Sequence, residues 1–325
     1  MKKEAKMRSA IVGYGVIGRL HGKILREMGY LTAICDIDAE ALSEISDANT
    51  YGDYLQMLDT EKPDTVHICT PHYLHADMVI EALKRNINVV CEKPLCIKIE
   101  DIDRILAAER NSKAILGVCH QNRYNPCNAY IKEYLKDKRI LGASGQVSWS
   151  RDAEYYASGA WRGRWDTEGG GVLINQALHT LDLLIWLCGM PEGLTATVDT
   201  LTLRDSIEVE DTATLLARGE VGFNFFATNG SACNLPVELT VKTEDETVKV
   251  MPRVALLGDK KVDFPKEKYV GPKACYGDGH GALFTHFYDC VEKGTHFPID
   301  GEEGAKVIRV ILAAYRSHGQ MTEVL

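Results

Sequence analysis

Short apolar segments alternate with longer amphipathic segments over the first third of the chain. The apolar segments predict strands, and the segments between them, near Val16–Met28, His75–Arg85 and Ile99–Glu109, have helical periodicity. Strands that are apolar on both faces and separated by helices are typical of a parallel sheet covered on both sides. We therefore predict a doubly wound parallel sheet of α/β class. Its strands are Ala10–Val12, Leu31–Cys35, Thr65–Cys69, Asn88–Cys91 and Ala114–Cys119.

The pattern changes after His120. A helix start at Asn125-Pro126, a strand at Gly142–Ser150 and a helix at Gly171–Cys188 come first. Consecutive strands without helices between them predict an α+β domain with a large, mostly antiparallel open sheet. We divide the chain into residues 1–120 and 121–325 and expect the C-terminal helix to pack back on the first domain. The later elements are strands Leu194–Leu203, Thr212–Leu216, Gly222–Ala227, Val237–Val241 and Thr247–Met251, then helices Ala282–Glu292 and Glu302–Arg316.

Length and charge narrow the class of protein. The 325 residues suffice for about two domains. The formal net charge is −9, from 37 basic and 46 acidic residues, which disfavours nucleic acid or an anionic membrane as a partner. Ten cysteines without a CxxC pair, and no evident signal peptide or membrane span, predict a cytoplasmic protein with free thiols and no metal site.

A glycine-rich turn follows the first predicted strand. Gly13, Gly15 and Gly18, with Val16 and Ile17 between the last two, match GxGxxG between a strand and a helix. The first glycine allows a tight turn, the second lets the backbone approach a pyrophosphate, and the third allows close packing of helix on strand. The context predicts a Rossmann dinucleotide-binding site. The alternative is a glycine-rich turn without a ligand.

An acidic residue ends the second strand. Asp36 follows Gly15 by 21 residues, the interval at which a carboxylate bonds the adenosine ribose hydroxyls. A carboxylate there would repel a 2′-phosphate. We therefore expect NAD in preference to NADP.

Two polar segments supply candidate catalytic groups. Lys93, in Glu92-Lys93-Pro94 at the end of a buried strand, could act as a general acid or base, although a surface ion pair is the alternative. In the predicted helix Gly171–Cys188, Asn175, His179, Asp182 and Trp186 lie on one face. That face predicts a substrate pocket in which His179 transfers a proton, or a histidine bonded to Asp182 within a domain interface.

The ordered motifs resemble those of the Gfo/Idh/MocA family, the glucose–fructose oxidoreductase and inositol dehydrogenase relatives. The resemblance implies that Lys93 is catalytic and contacts the nicotinamide ribose, and that Thr70, Pro71, His75 and Glu92 line the cofactor. His72 stands where the family often has Asn. The motifs are Gly13–Gly18, Asp36, Thr70–His75, Cys91–Leu95, Gln121–Pro126, Trp161–Gly163, Gly169–Gln176 with His179 and Asp182, and Asp300–Gly304.

The family comparison also bears on the second domain. Its DxxxH element has Asn175 in place of the aspartate, which moves the predicted proton transfer to Lys93 and His179. Trp161-Arg162 resembles an element near the nicotinamide end of the cofactor. Tyr156 and its aromatic neighbours could stack on a sugar or simply pack, and Arg123 could contact substrate or form an ion pair.

Together these features predict an NAD(H)-dependent oxidoreductase that acts on a secondary hydroxyl or ketone of a sugar, a sugar derivative or a cyclic polyol. Two alternatives remain: an NAD-dependent glycosidase that uses transient oxidation and elimination, and a non-catalytic dinucleotide sensor. The resemblance further implies a homodimer or homotetramer formed through the C-terminal sheet.

Overall fold

The first sheet is six-stranded and entirely parallel. The computed structural model describes residues 6–265 and 279–325. The strand order β3-β2-β1-β4-β5-β6 confirms the predicted doubly wound sheet. The short β3 has no apolar pattern and was not predicted. The strands are β1 (Ser9–Val12), β2 (Leu31–Cys35), β3 (Asn49–Tyr51), β4 (Thr65–Ile68), β5 (Asn88–Cys91) and β6 (Leu116–Val118).

Helices cover this sheet because each carries one apolar side. The first helix buries Leu20, Ile24 and Leu25 and ends at Gly29, whose φ of 71° is readily adopted only by glycine. The helices of this half are α1 (Val16–Met28), α2 (Ala39–Ser43), α3 (Tyr54–Glu61), α4 (His75–Lys84) and α5 (Ile99–Arg110).

Within residues 6–265 and 279–325, the second sheet has nine strands in the order β14-β13-β12-β11-β7-β10-β9-β8-β15, and the pairs are antiparallel except β7 with β10. This confirms the mostly antiparallel sheet. Burial alternates along β9, so one face is covered and the other exposed. The strands are β7 (Ile140–Ser148), β8 (Gly193–Asp199), β9 (Thr212–Arg218), β10 (Phe223–Thr228), β11 (Glu238–Thr243), β12 (Thr247–Met251), β13 (Val254–Leu257), β14 (Lys260–Asp263) and β15 (Thr322–Glu323).

The remaining helices are α6 (Pro126–Tyr134), α7 (Ala153–Ala157), α8 (Leu178–Cys188), α9 (His280–Lys293) and α10 (Gly301–Ser317). Helix α10 joins the two sheets, since it packs on α5 and β6 as well as on β8. A Cβ on Gly304 would lie 2.5 Å from the Val118 side chain, so glycine permits this close approach. Within the described residues, none of the helices combines the length and apolar character needed to cross a bilayer.

The predicted helix start at Gly171 is wrong, because α8 begins at Leu178. Glu210 accepts hydrogen bonds from the backbone N–H groups of Gly171 and Leu173, at 2.8 and 2.9 Å. The segment before α8 therefore forms turns held by this carboxylate. Asn175 lies in these turns, so it does not share a helix face with His179.

Candidate functional site

The glycine turn has the shape that a bound dinucleotide requires. A Cβ on Gly13 would lie 2.6 Å from the Cys69 carbonyl oxygen, and one on Gly18 would lie 2.0 Å from the Gly13 oxygen. A Cβ on Gly15 would meet nothing within 4 Å, so this position opens on free space. Helix α1 begins after Gly15 with no side-chain cap and no acidic residue in its first turn. Its free N–H groups fit a pyrophosphate. Beside them Val16 is 61% exposed and Ile17 is half-buried.

Asp36 lies at the end of β2, against this turn. Its carboxylate accepts hydrogen bonds from the backbone N–H groups of Tyr14, at 2.5 Å, and Asp38, at 2.9 Å. Each carboxylate oxygen can accept a further bond, so these contacts leave capacity for a ribose hydroxyl. The position fits the predicted contact with adenosine.

Lys93 extends from the end of β5 to the segment before α8. Its Nζ donates to the backbone carbonyl oxygen of Asn175 at 3.1 Å and to Asn175 Oδ1 at 3.2 Å. The peptide bond between Lys93 and Pro94 is cis. The ammonium from the first sheet is thus held by a residue of the second half of the chain.

A buried carboxylate holds the other end of the Asn175 amide. Glu168 is 0% exposed; its Oε1 accepts from Asn175 Nδ2 at 2.5 Å and its Oε2 from the Gly163 N–H at 2.5 Å. Burial raises the pKa of Glu168, and the bonds from Gly163 and Asn175 offset part of that rise. Because Glu168 accepts from Nδ2, Asn175 Oδ1 is the atom turned toward Lys93.

His179 lies in the first turn of α8 and is buried. Its Nε2 lies 3.1 Å from Gln121 Nε2, and its Nδ1 has no hydrogen-bond partner in the described chain. Burial, followed by the charge of Lys93 and by His120, lowers the pKa of His179 well below its ordinary value. The imidazole is therefore neutral at pH 7 and close enough to Lys93 to be affected by its charge.

The structure favours the ion pair of the two alternatives for Arg123, and it places Asp182, predicted to contact substrate, in that pair. Arg123 Nε and Nη2 donate to the two carboxylate oxygens of Asp182 at 2.8 and 2.6 Å, and Arg123 Nη1 donates to Glu303 at 2.8 Å. Both residues of this bidentate pair are buried. Burial raises the pKa of Asp182, but the Arg123 guanidinium more than offsets this and lowers it. The pair is structural, and His179 is bonded to Gln121 rather than to Asp182.

Glu92 also faces the protein interior. Its Oε1 lies 3.1 Å from His21 Nε2 and 3.5 Å from His280 Nε2, and its Oε2 accepts from the Lys93 N–H at 3.1 Å. Burial raises the pKa of Glu92, but the two imidazoles more than offset this and hold it well below its usual range. The predicted cofactor contact through this carboxylate is replaced by a buried cluster behind Lys93.

Two further residues predicted to line the cofactor, His75 and His72, form hydrogen bonds with other parts of the protein. His75 is buried. Its Nδ1 lies 2.7 Å from the backbone carbonyl oxygen of Pro94, and its Nε2 lies 2.8 Å from the backbone carbonyl oxygen of Thr70. It joins the loops that follow β4 and β5 and has no ring nitrogen left for a cofactor. Pro71 precedes the turn that contains His72. His72 is buried, and its Nδ1 lies 2.8 Å from the backbone carbonyl oxygen of Glu168.

The loop from residue 155 to 165 carries the aromatic side chains of the second half. Trp161 packs on His72, with ring centroids 4.6 Å apart. Tyr156 is buried and its hydroxyl accepts from Asn229 Nδ2 at 2.9 Å, so the predicted substrate contact is replaced by internal packing. Its neighbour Tyr155 is half-buried and accepts a hydrogen bond from Arg162 Nη1 at 2.7 Å.

Sequence reasoning missed three residues that shape the site: Glu168, Gln121 and Glu210. Glu168 directly precedes the glycine run, a local signal for a role there. Glu210 accepts hydrogen bonds from the backbone N–H groups of Gly171 and Leu173 and from the Tyr315 hydroxyl, all 37 or more positions away in the chain. Burial raises the pKa of Glu210 to about 7. Nothing near Glu210 in the sequence indicates this contact.

Comparisons with known proteins agree with this geometry. The model of the oxidoreductase family with an NAD-binding Rossmann fold matches residues 7–120, and that of the GFO/IDH/MocA C-terminal domain matches residues 132–249. The uncharacterized oxidoreductase YrbE of Bacillus subtilis is 24% identical over 95% of this chain and 93% of its own length. Inositol 2-dehydrogenase of Salmonella typhimurium is 29% identical, over 56% of this chain and 54% of its own length.

A solved structure extends the likeness over the whole chain. The WlbA dehydrogenase from Bordetella pertussis, in complex with NADH and UDP-GlcNAcA, superposes with a TM-score of 0.86 and is 29% identical, covering 99% of each chain. With both family models matched in order, this chain is a member of the Gfo/Idh/MocA family of NAD-dependent oxidoreductases.

Proposed function

We propose that the protein transfers a hydride between NAD and a secondary hydroxyl or ketone of a sugar, a sugar derivative or a cyclic polyol. One observation carries the proposal: Lys93, anchored on Asn175, lies close enough to a neutral, buried His179 for its charge to lower the pKa of that imidazole. When bound, NAD supplies the hydride acceptor for alcohol oxidation and the hydride donor for ketone reduction. The glycine turn and Asp36 would hold it, as described above.

In alcohol oxidation, His179 and Lys93 then have different roles. Neutral His179 accepts the proton of the substrate hydroxyl through Nδ1, the ring nitrogen without a partner in the described chain. This step requires the tautomer with its proton on Nε2, and therefore the Gln121 amide turned so that Oε1 accepts from that N–H. The Lys93 ammonium donates a hydrogen bond to the same oxygen and stabilises the negative charge that develops on it. The C–H bond breaks as the C=O bond forms, and reduction follows the same steps in reverse.

The relatives support a carbohydrate substrate. The WlbA structure contains UDP-GlcNAcA, and a dehydrogenase of levoglucosan from Pseudarthrobacter phenanthrenivorans is 28% identical over 51% of this chain and 43% of its own length. A glycosidase using the same residues would release an aglycone without net NADH. No observation in this structure favours that second reaction.

A substrate panel tests the proposal. Sugars, inositols and nucleotide sugars are incubated with NAD or NADP, and NADH formation is followed by absorbance. We expect turnover of at least one compound with NAD, and its loss in Lys93→Ala and His179→Ala with NADH binding retained. NADH binding that is the same in the wild type and in Lys93→Ala, with no compound turned over by either protein, would instead identify a dinucleotide sensor.

The open face of the second sheet supports a homo-oligomer. Leu216 and Phe226, on neighbouring strands β9 and β10, are 51% and 37% exposed, and Leu141 on β7 is 52% exposed. A second copy of the chain packing sheet to sheet would cover these side chains. Light scattering of the purified protein should give twice or four times the chain mass, and Leu216→Arg should reduce it. The free cysteines, eight of the nine described being buried, fit a reducing cytoplasm.

A further inference from the structure

Two arginines flank one tyrosine ring near the reactive position. The guanidinium carbon of Arg151 lies 5.1 Å from the centroid of Tyr155, and that of Arg162 lies 4.6 Å from it. Both guanidinium groups thus meet at one half-buried ring. Two positive charges beside one ring favour an anion bound next to them.

Neither guanidinium has a carboxylate partner within 4.0 Å in the parts of the chain that the structure describes. Arg151 Nη1 donates to the Ser150 oxygen and to Asn234 Oδ1, which are neutral, and its buried Nε has no partner among the described residues. Arg162 lowers the pKa of Glu168, yet that carboxylate is bonded to Gly163 and Asn175. Among the described residues, neither positive charge is therefore paired directly with a carboxylate.

Hydrogen bonds connect this pair of arginines to the reactive position. The Tyr155 hydroxyl accepts from Gln176 Nε2 at 3.0 Å as well as from Arg162. Gln176 directly follows Asn175, which binds Lys93, and Gln176 Oε1 accepts from Asn229 Nδ2 at 3.0 Å. The backbone carbonyl oxygen of Asn229 in turn accepts from the Arg151 N–H at 2.9 Å. A group bound at Tyr155 is thus connected through Gln176 to Asn175, the residue that binds Lys93.

We propose that Arg151 and Arg162 bind an anionic group of the substrate, a carboxylate or a phosphate carried by the sugar. The planar fork of a guanidinium presents two parallel N–H donors to either group. This inference rests on the proposed function and narrows its substrate from carbohydrates in general to negatively charged ones.

Binding to the NADH-loaded protein tests the inference with two matched pairs of probes. UDP-glucuronate and UDP-glucose differ by a carboxylate, and glucose 1-phosphate and glucose differ by a phosphate. Each dissociation constant is measured by calorimetry for the wild type, Arg151→Gln, Arg162→Gln and Arg204→Gln. Arg204 is the control, since its guanidinium already lies 3.9 Å from the Asp199 carboxylate.

In at least one pair, we expect the probe with the additional anionic group to bind on the order of tenfold to a hundredfold more tightly than its match. Arg151→Gln should abolish that preference, while Arg204→Gln and the affinity for NADH should not change. The pair that responds identifies carboxylate or phosphate. A preference that survives both the Arg151 and Arg162 substitutions, equal binding within both pairs, or no binding of any probe would overturn the inference.

Turnover separates this inference from the proposed function. If a charged probe binds through Arg151 but no compound in the substrate panel changes the NADH absorbance, the anion site stands and the oxidoreductase proposal fails. If neutral sugars are oxidised as well as their charged matches in wild type and Arg151→Gln alike, the oxidoreductase proposal stands and the anion site fails.

Discussion

Lys93 binds Asn175 through two oxygens, although the two residues are 82 positions apart in the chain. Its Nζ lies 3.1 Å from the backbone carbonyl oxygen of Asn175 and 3.2 Å from Oδ1. The amide is itself oriented by Glu168, which accepts from Nδ2. The carboxylate that the family's DxxxH element would supply at position 175 is thus replaced by a neutral amide with a buried carboxylate behind it.

The first prediction concerns the hydrogen bonds that link Glu168, Asn175 and Lys93. Glu168→Gln should lower kcat on the order of tenfold to a hundredfold, because an amide at 168 no longer fixes the orientation of Asn175. Affinity for NADH should change little. Adding Asn175→Asp to Glu168→Gln should restore part of the lost kcat, since it returns a carboxylate to Lys93. Steady-state kinetics measure these effects.

Asp166→Asn is the matched control for that experiment, because Asp166 is an exposed acid of the same loop. We expect it to keep full activity. If Glu168→Gln kept wild-type kcat, or if Asn175→Asp gave no recovery while both proteins folded normally, Glu168 would have no part in positioning Lys93.

The second prediction is the pH dependence of oxidation. A base must be neutral to accept a proton, so activity is retained above its pKa and lost below it. Because burial and the charge of Lys93 lower the pKa of His179, the acidic limb of kcat/KM should lie well below pH 6.5. A limb at or above pH 6.5 that disappears in His179→Gln would show that the imidazole is not held neutral. Circular dichroism at each pH controls for unfolding.

The third prediction concerns the buried ion pair. Arg123→Met should lower the free energy of unfolding by about 3–5 kcal/mol, because it leaves the Asp182 carboxylate buried without its partner. Arg139→Met removes an exposed pair with Glu244 and should cost less than about 1 kcal/mol. Urea unfolding measures both. If Arg123→Met retained stability but raised KM strongly, Arg123 would be a substrate-binding residue after all.

The fourth prediction tests cofactor choice. Asp36→Ser should weaken NADH binding on the order of tenfold by removing an acceptor for the ribose hydroxyls, and should leave NADPH binding unchanged or improve it. Fluorescence titration with both cofactors measures the two affinities. An Asp36 variant that weakened only NADPH binding would contradict the assignment of NAD.

The sequence predicted the parts of the fold that depend on local pattern. The parallel sheet followed from apolar strands separated by helices, and the glycine turn from its place between β1 and α1. Lys93 and His179 were predicted as catalytic candidates from short motifs in their own segments. These features are set by residues close together in the chain.

The missed features depend on partners far apart in the chain. The pairing of Arg123 with Asp182 spans 59 positions, and the turns before α8 depend on Glu210, which binds backbone N–H groups near Gly171. Periodicity alone extended that helix over Asn175. A pattern of apolar residues carries no information about which buried carboxylate will satisfy a distant N–H group.

The most direct test is the structure of the protein with NAD bound. The central claim is that Lys93 and His179 meet at the carbon of nicotinamide that receives the hydride. We predict that a substrate oxygen placed for transfer would lie about 3 Å from both Lys93 Nζ and a ring nitrogen of His179. A complex in which the nicotinamide ring lies away from either side chain, so that no single oxygen reaches both, would contradict the account.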